Sequence, residues 1–393
     1  MIHFHERPRF PRGFRCASRS IGLKPNGKDL SLFVSDVDAA AAAVFTRNRF
    51  PGAPVILGRE TIKGGKLRAI VANSKVSNVA TGADGLEKAT RMAVATAKEI
   101  GTTTDRVLVS STGVIGVPLP IEVIERGIVG MARELQDDPL IGAEGIMTTD
   151  THPKAISATV GGGRSDTTIT WVAKGSGMIA PNMATMLVYI FTDAALESVA
   201  LDYLLRDAVH VSFNMLSVDS DTSTSDTCAL LANGRAGSVD EAQFSAALTT
   251  GCIRVAEMLA RDGEGATRLL RVTVRAASNE EEARRVAKSL VNSPLIKTMV
   301  HGADPNVGRI LMAIGKCLDC TIVPTATSAT INDFAVVRAG IRVDFDEAVV
   351  RKALSTETVD LVVELGVGTA VATAFGCDLS AGYIQENAAY YSS

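Results

Sequence analysis

Apolar residues recur at helical spacing in several stretches of the chain. Leu86, Ala89, Ala93, Ala97 and Ile100 share one face of a helix starting near Asp84. Ile121, Ile124, Ile128, Met131 and Leu135 repeat the pattern behind Pro120, a residue suited to a first helical turn. Further helices are expected near 197–210, 240–261, 279–291 and 306–316. Between them, β-rich runs at Arg68–Ala72, Arg106–Val109, Thr167–Ala173, Met186–Phe191 and Arg268–Arg275 predict strands. From about Thr321 to Phe375 strands dominate, with one helix near 347–355. The elements alternate irregularly and no internal repeat is visible. That pattern favours mixed α+β layers over a doubly wound parallel sheet.

Length and composition narrow the picture. A chain of 393 residues exceeds one ordinary core and predicts two or three lobes. Hydrophobic residues at 46% against 21% charged exclude a disordered chain. The 40 basic and 43 acidic side chains nearly cancel, and no basic stripe stands out, which argues against nucleic-acid binding. The purest apolar run, Ala39–Phe45, is far short of a membrane span. The first twenty residues carry five arginines and lack the apolar segment of a secretory signal. A disordered or strand-forming N-terminus is expected. Six scattered cysteines read as reduced thiols of a cytoplasmic protein. Cys317 and Cys320 form a lone CxxC pair, expected to pack at a helix end and not to bind zinc. The 34 glycines sit largely in loops with Asp, Ser and Thr, where backbone amides approach ligands closely.

Familiar catalytic motifs are absent: no GxSxG, Walker A, HExxH or GxGxxG occurs, and five histidines share no ligand spacing. Gly161-Gly162-Gly163 reads as a hairpin turn. The run Asp221–Thr227 holds three aspartates without the Gly and Glu of a calcium loop, so it reads as a hydrogen-bonding loop. Asp304-Pro305-Asn306 reads as a cap for the helix that follows. No metal site is expected. The stretch from Lys174 to Asp193 differs: a Gly-rich, Pro-containing loop runs straight into an apolar strand, with Thr185 at the junction. Thr185 reads as a strand-opening β-branched residue. It also reads as a nucleophile if the bond before it is cut, because the freed α-amino group, with a pKa near ~8, then serves as its own general base. The residues alone leave both readings open.

This stretch closely resembles the self-cleavage motif of the ornithine acetyltransferase, or glutamate N-acetyltransferase, family. The resemblance runs along nearly the whole chain: Ile21–Lys24, Lys28–Leu30, Val44–Asn48, Ser111–Gly116, Met147–Lys154, Asp221–Thr227, Asp262–Thr267, Val291–Lys297 and Gly302–Asn306, closing with Asn387 and Ser392. It implies an N-terminal-nucleophile-like α/β architecture of the DmpA/ArgJ type, with a smaller C-terminal α/β domain at about 280–393. It implies self-cleavage between Ala184 and Thr185 into an α chain, 1–184, and a β chain, 185–393, assembled as a heterotetramer of two of each. Thr185 would take acetyl from N-acetylornithine as an ester and pass it to glutamate. Thr112 and Gly113 would form the oxyanion hole. Thr151, Lys174, Thr185, Glu264, Asn387 and Ser392 would bind substrate, with Lys174 suited to a carboxylate and Glu264 to an ammonium. No cofactor is implied; a bifunctional member would also use acetyl-CoA.

Two departures stand out. Asn73–Val79 places Lys75 where the family usually has Gly, and Asp304–Gly308 lacks the family's Trp. The divergence at Asn73–Val79, with Ser225–Thr227 and Lys316-Cys317, resembles paralogues of clavam biosynthetic clusters, so arginine biosynthesis and a secondary-metabolite pathway both stand. The rival readings are a self-processing amidase or aminopeptidase-type hydrolase, and an uncleaved structural protein that keeps only the fold.

Overall fold

The longest strand, Leu30–Phe45, explains most of the first layer. Its five alanines, Ala39–Ala43, have small side chains that let neighbouring strands and helices approach, and burial in a sheet overrides the helical preference of alanine. The structure, a computed structural model, describes residues 2–161, 166–180 and 186–388. Gly162, Gly163, Ala184, Thr185 and Ser392 lie outside the described residues. Two compact units emerge: Met1–Gly175, Pro181–Asn214 and Thr222–Val255 form the first, and Ser176–Ala180, Met215–Asp221 and Ala256–Ser393 the second. The residues from about 280 fall in the second unit, whose longest stretch starts earlier, at Ala256.

The first unit holds a nine-stranded mixed sheet among the described residues. Its order is Ile2–Phe4, Lys154–Val160, Thr167–Lys174, Leu187–Ala194, Thr227–Gly237, Leu30–Phe45, Lys66–Asn73 and Val107–Ser111, with Phe14–Arg19 also paired to Leu30–Phe45. The N-terminus is therefore strand-forming. Two strands from beyond the predicted junction, Leu187–Ala194 and Thr227–Gly237, sit between strands that precede it. Successive residues face opposite cores. Phe33, Ile70, Ala72 and Leu108 join one cluster with Tyr189, Phe191, Ala143 and Ile146. Leu32, Ala69, Val71, Val107 and Val109 join the other, with Met92, Ala93, Ala97, Ile121, Ile124 and Ile128. With both faces covered, the strands read as nearly continuous apolar runs.

Helix Gly82–Ile100 buries Ala89, Ala93 and Ala97 of the predicted stripe but leaves Leu86 exposed, and it ends at Gly101, which takes φ +70°. The pattern expected to run on to Leu135 breaks sooner. The helix is Ile121–Ile128, Gly130 turns at φ +82°, and a 3₁₀ turn spans Met131–Glu134. Ile128 and Met131 still fill the same core, so burial continues where the helix does not.

Among the described residues the second unit holds a seven-stranded sheet ordered Ile341–Arg342, Phe334–Arg338, Ser328–Ile331, Thr358–Glu364, Leu269–Ala277, Ala370–Cys377 and Leu216–Ser217. Its helix Glu280–Val291 is capped by Asn279 and carries three glutamates in its first turn, matching the helix dipole. The capping role expected of Asp304–Asn306 is not found. Helix Gly308–Gly315 starts from Val307 with no side-chain cap, and 304–306 instead form tight backbone turns. Cys317 and Cys320 follow that helix, with Cys317 Sγ 3.6 Å from the Ala313 carbonyl. No described helix is long and apolar enough to cross a membrane.

Candidate active site

In the first unit, the parallel strands Lys66–Asn73 and Val107–Ser111 bring Asn73 opposite Ser111. Ser111 Oγ donates to Asn73 Oδ1 at 2.6 Å, and Asn73 Nδ2 donates to the Val76 carbonyl at 2.9 Å. The buried Asn73 thus ties the loop after one strand to the loop after the other. The Thr112 N–H is spent on the Asn73 carbonyl (3.0 Å), and Val114 N–H reaches the Lys75 carbonyl (2.9 Å). The Thr112 hydroxyl and the Gly113 N–H make no hydrogen bond among the described residues. Gly113 has φ +130°; a Cβ built there would lie 2.7 Å from Lys75 Cα and nearer still to the Lys75 carbonyl group. Only glycine fits this cradle. Lys75 itself sits at φ +79°, a conformation costing a side-chain-bearing residue about 1–2 kcal/mol. The departure seen in sequence is therefore a strained residue packed on the loop of interest.

A second group gathers around Asp150, at the start of the loop that leads into strand Lys154–Val160. Asp150 Oδ1 meets Lys154 Nζ at 2.7 Å, with both side chains almost fully buried. The same oxygen accepts from Gly175 N–H at 2.7 Å, and Oδ2 accepts from Thr148 N–H at 2.9 Å. Lys174 Nζ donates to Thr148 Oγ1 at 3.3 Å. Burial works against an ionised Asp150, but the Lys154 and Lys174 ammoniums more than offset it and hold the carboxyl below its ordinary range. Lys24 joins from Ile21–Lys24, a loop whose amides converge on buried Asp29. Its Nζ donates to the Met147 carbonyl at 3.0 Å, and burial lowers its pKa. The three ammoniums outnumber the Asp150 and Asp29 carboxylates, leaving a net positive group suited to a carboxylate ligand. Thr151 is exposed and its hydroxyl bonds His152 Nδ1 at 2.9 Å.

Sequence reasoning singled out Thr151 and Lys174 but missed Asp150, Lys154 and Lys24. Their signal was the Asp–Lys pair four apart inside Met147–Lys154. The run Asp221–Thr227, expected to be a hydrogen-bonding loop, takes bonds at two carbonyls: Thr46 Oγ1 donates to Ser223 O at 2.7 Å and Asn48 Nδ2 to Thr222 O at 2.8 Å.

In the second unit, Glu264 lies in the turn after helix Glu241–Arg261 and is largely buried. Asn387, on helix Ala381–Ala388, donates Nδ2 to Glu264 Oε2 at 2.6 Å. Gly177 lies against the Glu264 carboxylate so closely that a Cβ there would overlap it. Gly265 packs backbone to backbone on Gly382 and Tyr383. Asp378 fixes the turn from behind, accepting from Thr267 N–H and Arg268 N–H and meeting His301 Nδ1 at 2.7 Å. Burial raises the Tyr383 pKa, and the nearby carboxylates of Asp219, Glu264 and Asp221 raise it further. The Glu264 carboxylate, held by Asn387, is the part of this group that suits an ammonium. Thus Glu264 and Asn387 meet, while Ala184, Thr185 and Ser392 lie outside the described residues. Among the described residues no cluster of three or more His, Cys, Asp or Glu is arranged to hold a metal ion.

Residues 15–392 match the ArgJ family. The arginine biosynthesis bifunctional protein ArgJ of Rhodococcoides fascians is 43% identical over 97% of this chain and 94% of its own length. The glutamate N-acetyltransferase Oat2 of Streptomyces clavuligerus is 40% identical over 98% of both chains. A crystal structure of the Bacillus halodurans arginine biosynthesis bifunctional protein ArgJ is 36% identical with a TM-score of 0.51, and aligns over 52% of this chain and 100% of that one. The chain belongs to the ArgJ family.

Proposed function

We propose that this chain is an ornithine acetyltransferase of arginine biosynthesis, working through an acetyl ester on Thr185 after self-cleavage between Ala184 and Thr185. The observation that carries this reading is the Thr112-Gly113 loop. Its hydroxyl and its Gly113 N–H are uncommitted among the described residues, on a backbone held by Asn73 and Lys75. Such preorganised donors stabilise an oxyanion, each worth about 3–4 kcal/mol.

In self-cleavage, Thr185 Oγ attacks the Ala184 carbonyl and the C–N bond breaks. Water then hydrolyses the ester, leaving an Ala184 carboxylate and a free Thr185 amine. In transfer, that amine accepts the Oγ proton as Oγ attacks the acetyl carbonyl of N-acetylornithine. The amide C–N bond breaks, and the proton passes to the departing ornithine amine. The glutamate amine then attacks the ester, and Oγ leaves with a proton. The cationic group with Lys174 suits the substrate carboxylate. Glu264 and Asn387 suit an ammonium, with Thr151 and Ser392 as further contacts. A solved relative whose entire chain matches 52% of this one supports division into an α and a β chain, which we take to assemble as a heterotetramer. Six unpaired thiols support a reducing compartment, the cytoplasm.

Intact-mass measurement tests the scheme. Wild type is expected as two pieces, one gaining an acetyl group on incubation with N-acetylornithine. Thr185→Ala is expected as one folded, inactive chain. If that variant still splits, the junction is misassigned. Rapid loss of the acetyl group without glutamate would instead indicate a hydrolase. The word bifunctional in relatives' names favours a second acetyl donor, which incubation with acetyl-CoA checks by the same mass gain.

A further inference from the structure

Residues Ser176–Ala180 are the stretch that the second unit draws from the chain before the junction. Their hold is concentrated on one side chain. Asp219 Oδ2 accepts from Met178 N–H at 2.6 Å, and Oδ1 accepts from Ile179 N–H at 2.8 Å. The clamp is reciprocal, because Val218 N–H donates to the Ile179 carbonyl at 2.6 Å. Ser176 Oγ adds a bond to the Asp262 carbonyl at 2.6 Å, and the Ile179 side chain is fully buried. Met178 is an exposed side-chain-bearing residue held at φ +53°, a left-handed conformation that needs surrounding structure to persist. Here that structure is the Asp219 carboxylate.

Ile179 stands five residues before Ala184 in the sequence. On the other side of the junction, Met186 is already fixed, its carbonyl accepting from Thr227 N–H at 3.0 Å. A hydroxyl attacking the carbonyl of the residue before it needs near-attack geometry, and misplacement by about 1 Å costs on the order of a hundredfold in rate. The downstream side gets its fixity from the sheet. Upstream, 176–180 form no full strand, only bridge-type pairing at Ile179, and the Asp219 carboxylate adds the two amide contacts.

We propose that Asp219 is a positioning residue for self-cleavage: by gripping the Met178 and Ile179 amides it fixes the chain entering the scissile segment. This rests on the self-cleavage reading above. Once the chain is cut, the same clamp holds the trailing end of the α chain to the β chain.

The test is a time course of splitting, followed by intact mass after synthesis of the full chain. Asp219→Ala and Asp219→Asn are expected to lengthen the half-time at least tenfold. Their uncut precursors should melt within a few degrees of the uncut Thr185→Ala chain. The fraction that does mature should keep a wild-type KM for N-acetylornithine, a split that general loosening would not produce. Tyr383→Phe, which removes only the long 3.4 Å hydroxyl contact to Asp219, should split at the wild-type rate. Wild-type splitting rates in both Asp219 variants would overturn the inference alone. So would slowed splitting that only tracks a lowered melting temperature. A wild-type chain that stays whole would overturn the cleavage reading and this inference with it.

Discussion

Replacing Gly113 with alanine puts a methyl group into the backbone of Lys75. The new Cβ would lie 2.7 Å from Lys75 Cα, and closer to its carbonyl carbon and oxygen, where real Cβ atoms keep at least 3.0 Å. The obstacle is main chain, pinned by the Val114–Lys75 hydrogen bond and by Asn73, so it cannot rotate aside. Relief requires the two loops to part by about 1 Å. The left-handed φ adds about 1–2 kcal/mol, and overpacking adds about 1–3 kcal/mol. A total near 3 kcal/mol lowers the melting temperature by roughly 6–12 °C, judged by smaller domains. The larger effect falls on chemistry, since an oxyanion donor moved by that distance loses about 10²–10³ in kcat. Gly113→Ala should therefore stay folded at 25 °C and split slowly. Its matured fraction should transfer acetyl at a kcat at least a hundredfold lower, with KM for N-acetylornithine little changed. Circular dichroism melting, intact mass and steady-state acetyl transfer read these separately. Near-wild-type kcat in a variant destabilised as expected would refute the oxyanion role of this loop.

Three further outcomes are expected. Gly177→Ala pushes the Glu264 carboxylate away from Asn387; KM for N-acetylornithine should rise about tenfold while the melting temperature changes little, as steady-state kinetics would show. Lys154→Met removes one side of a buried ion pair and should cost about 3–5 kcal/mol in chemical denaturation, because Asp150 keeps its charge in the interior. Asp150 and Asp378 both have carboxyl pKa values lowered in the fold. Their ionised forms therefore favour folding at every pH above about 4, and that contribution is lost as pH falls through the lower folded values. Melting temperature should decline below pH about 4, and the decline should be shallower in Asp150→Asn.

The parts legible in the sequence are those whose cause is local. The stripe through Ala89, Ala93 and Ala97 appears as helix because its period suffices to bury one face. The match of residues 15–392 to the ArgJ family was legible from motif order. What stayed hidden depends on partners far along the chain. Asn73 meets Ser111 across 38 positions, and nothing near either residue announces it. Gly130 ended a helix whose apolar pattern ran on, because the pattern records burial and Met131 is buried in a 3₁₀ turn just as well. Asp304–Asn306 had capping residues at a plausible place, yet the helix began later, from Val307. Asp219 lay beside a run read as support, and its value became visible only when its oxygens met two amides forty residues upstream.

The strand order of the large sheet bears on how the cut protein would come apart. Leu187–Ala194 and Thr227–Gly237 lie between Thr167–Lys174 on one side and Leu30–Phe45 on the other. A break between Ala184 and Thr185 therefore leaves two polypeptides that share one sheet, neither owning a contiguous half of it. Unfolding, which is unimolecular in the intact chain, becomes dissociation. The melting temperature of the split enzyme should then rise with protein concentration, while that of the uncut Thr185→Ala chain should not. Each piece alone would expose unpaired strand edges in the middle of its sheet, so a chain that unfolds after the cut is poised to aggregate.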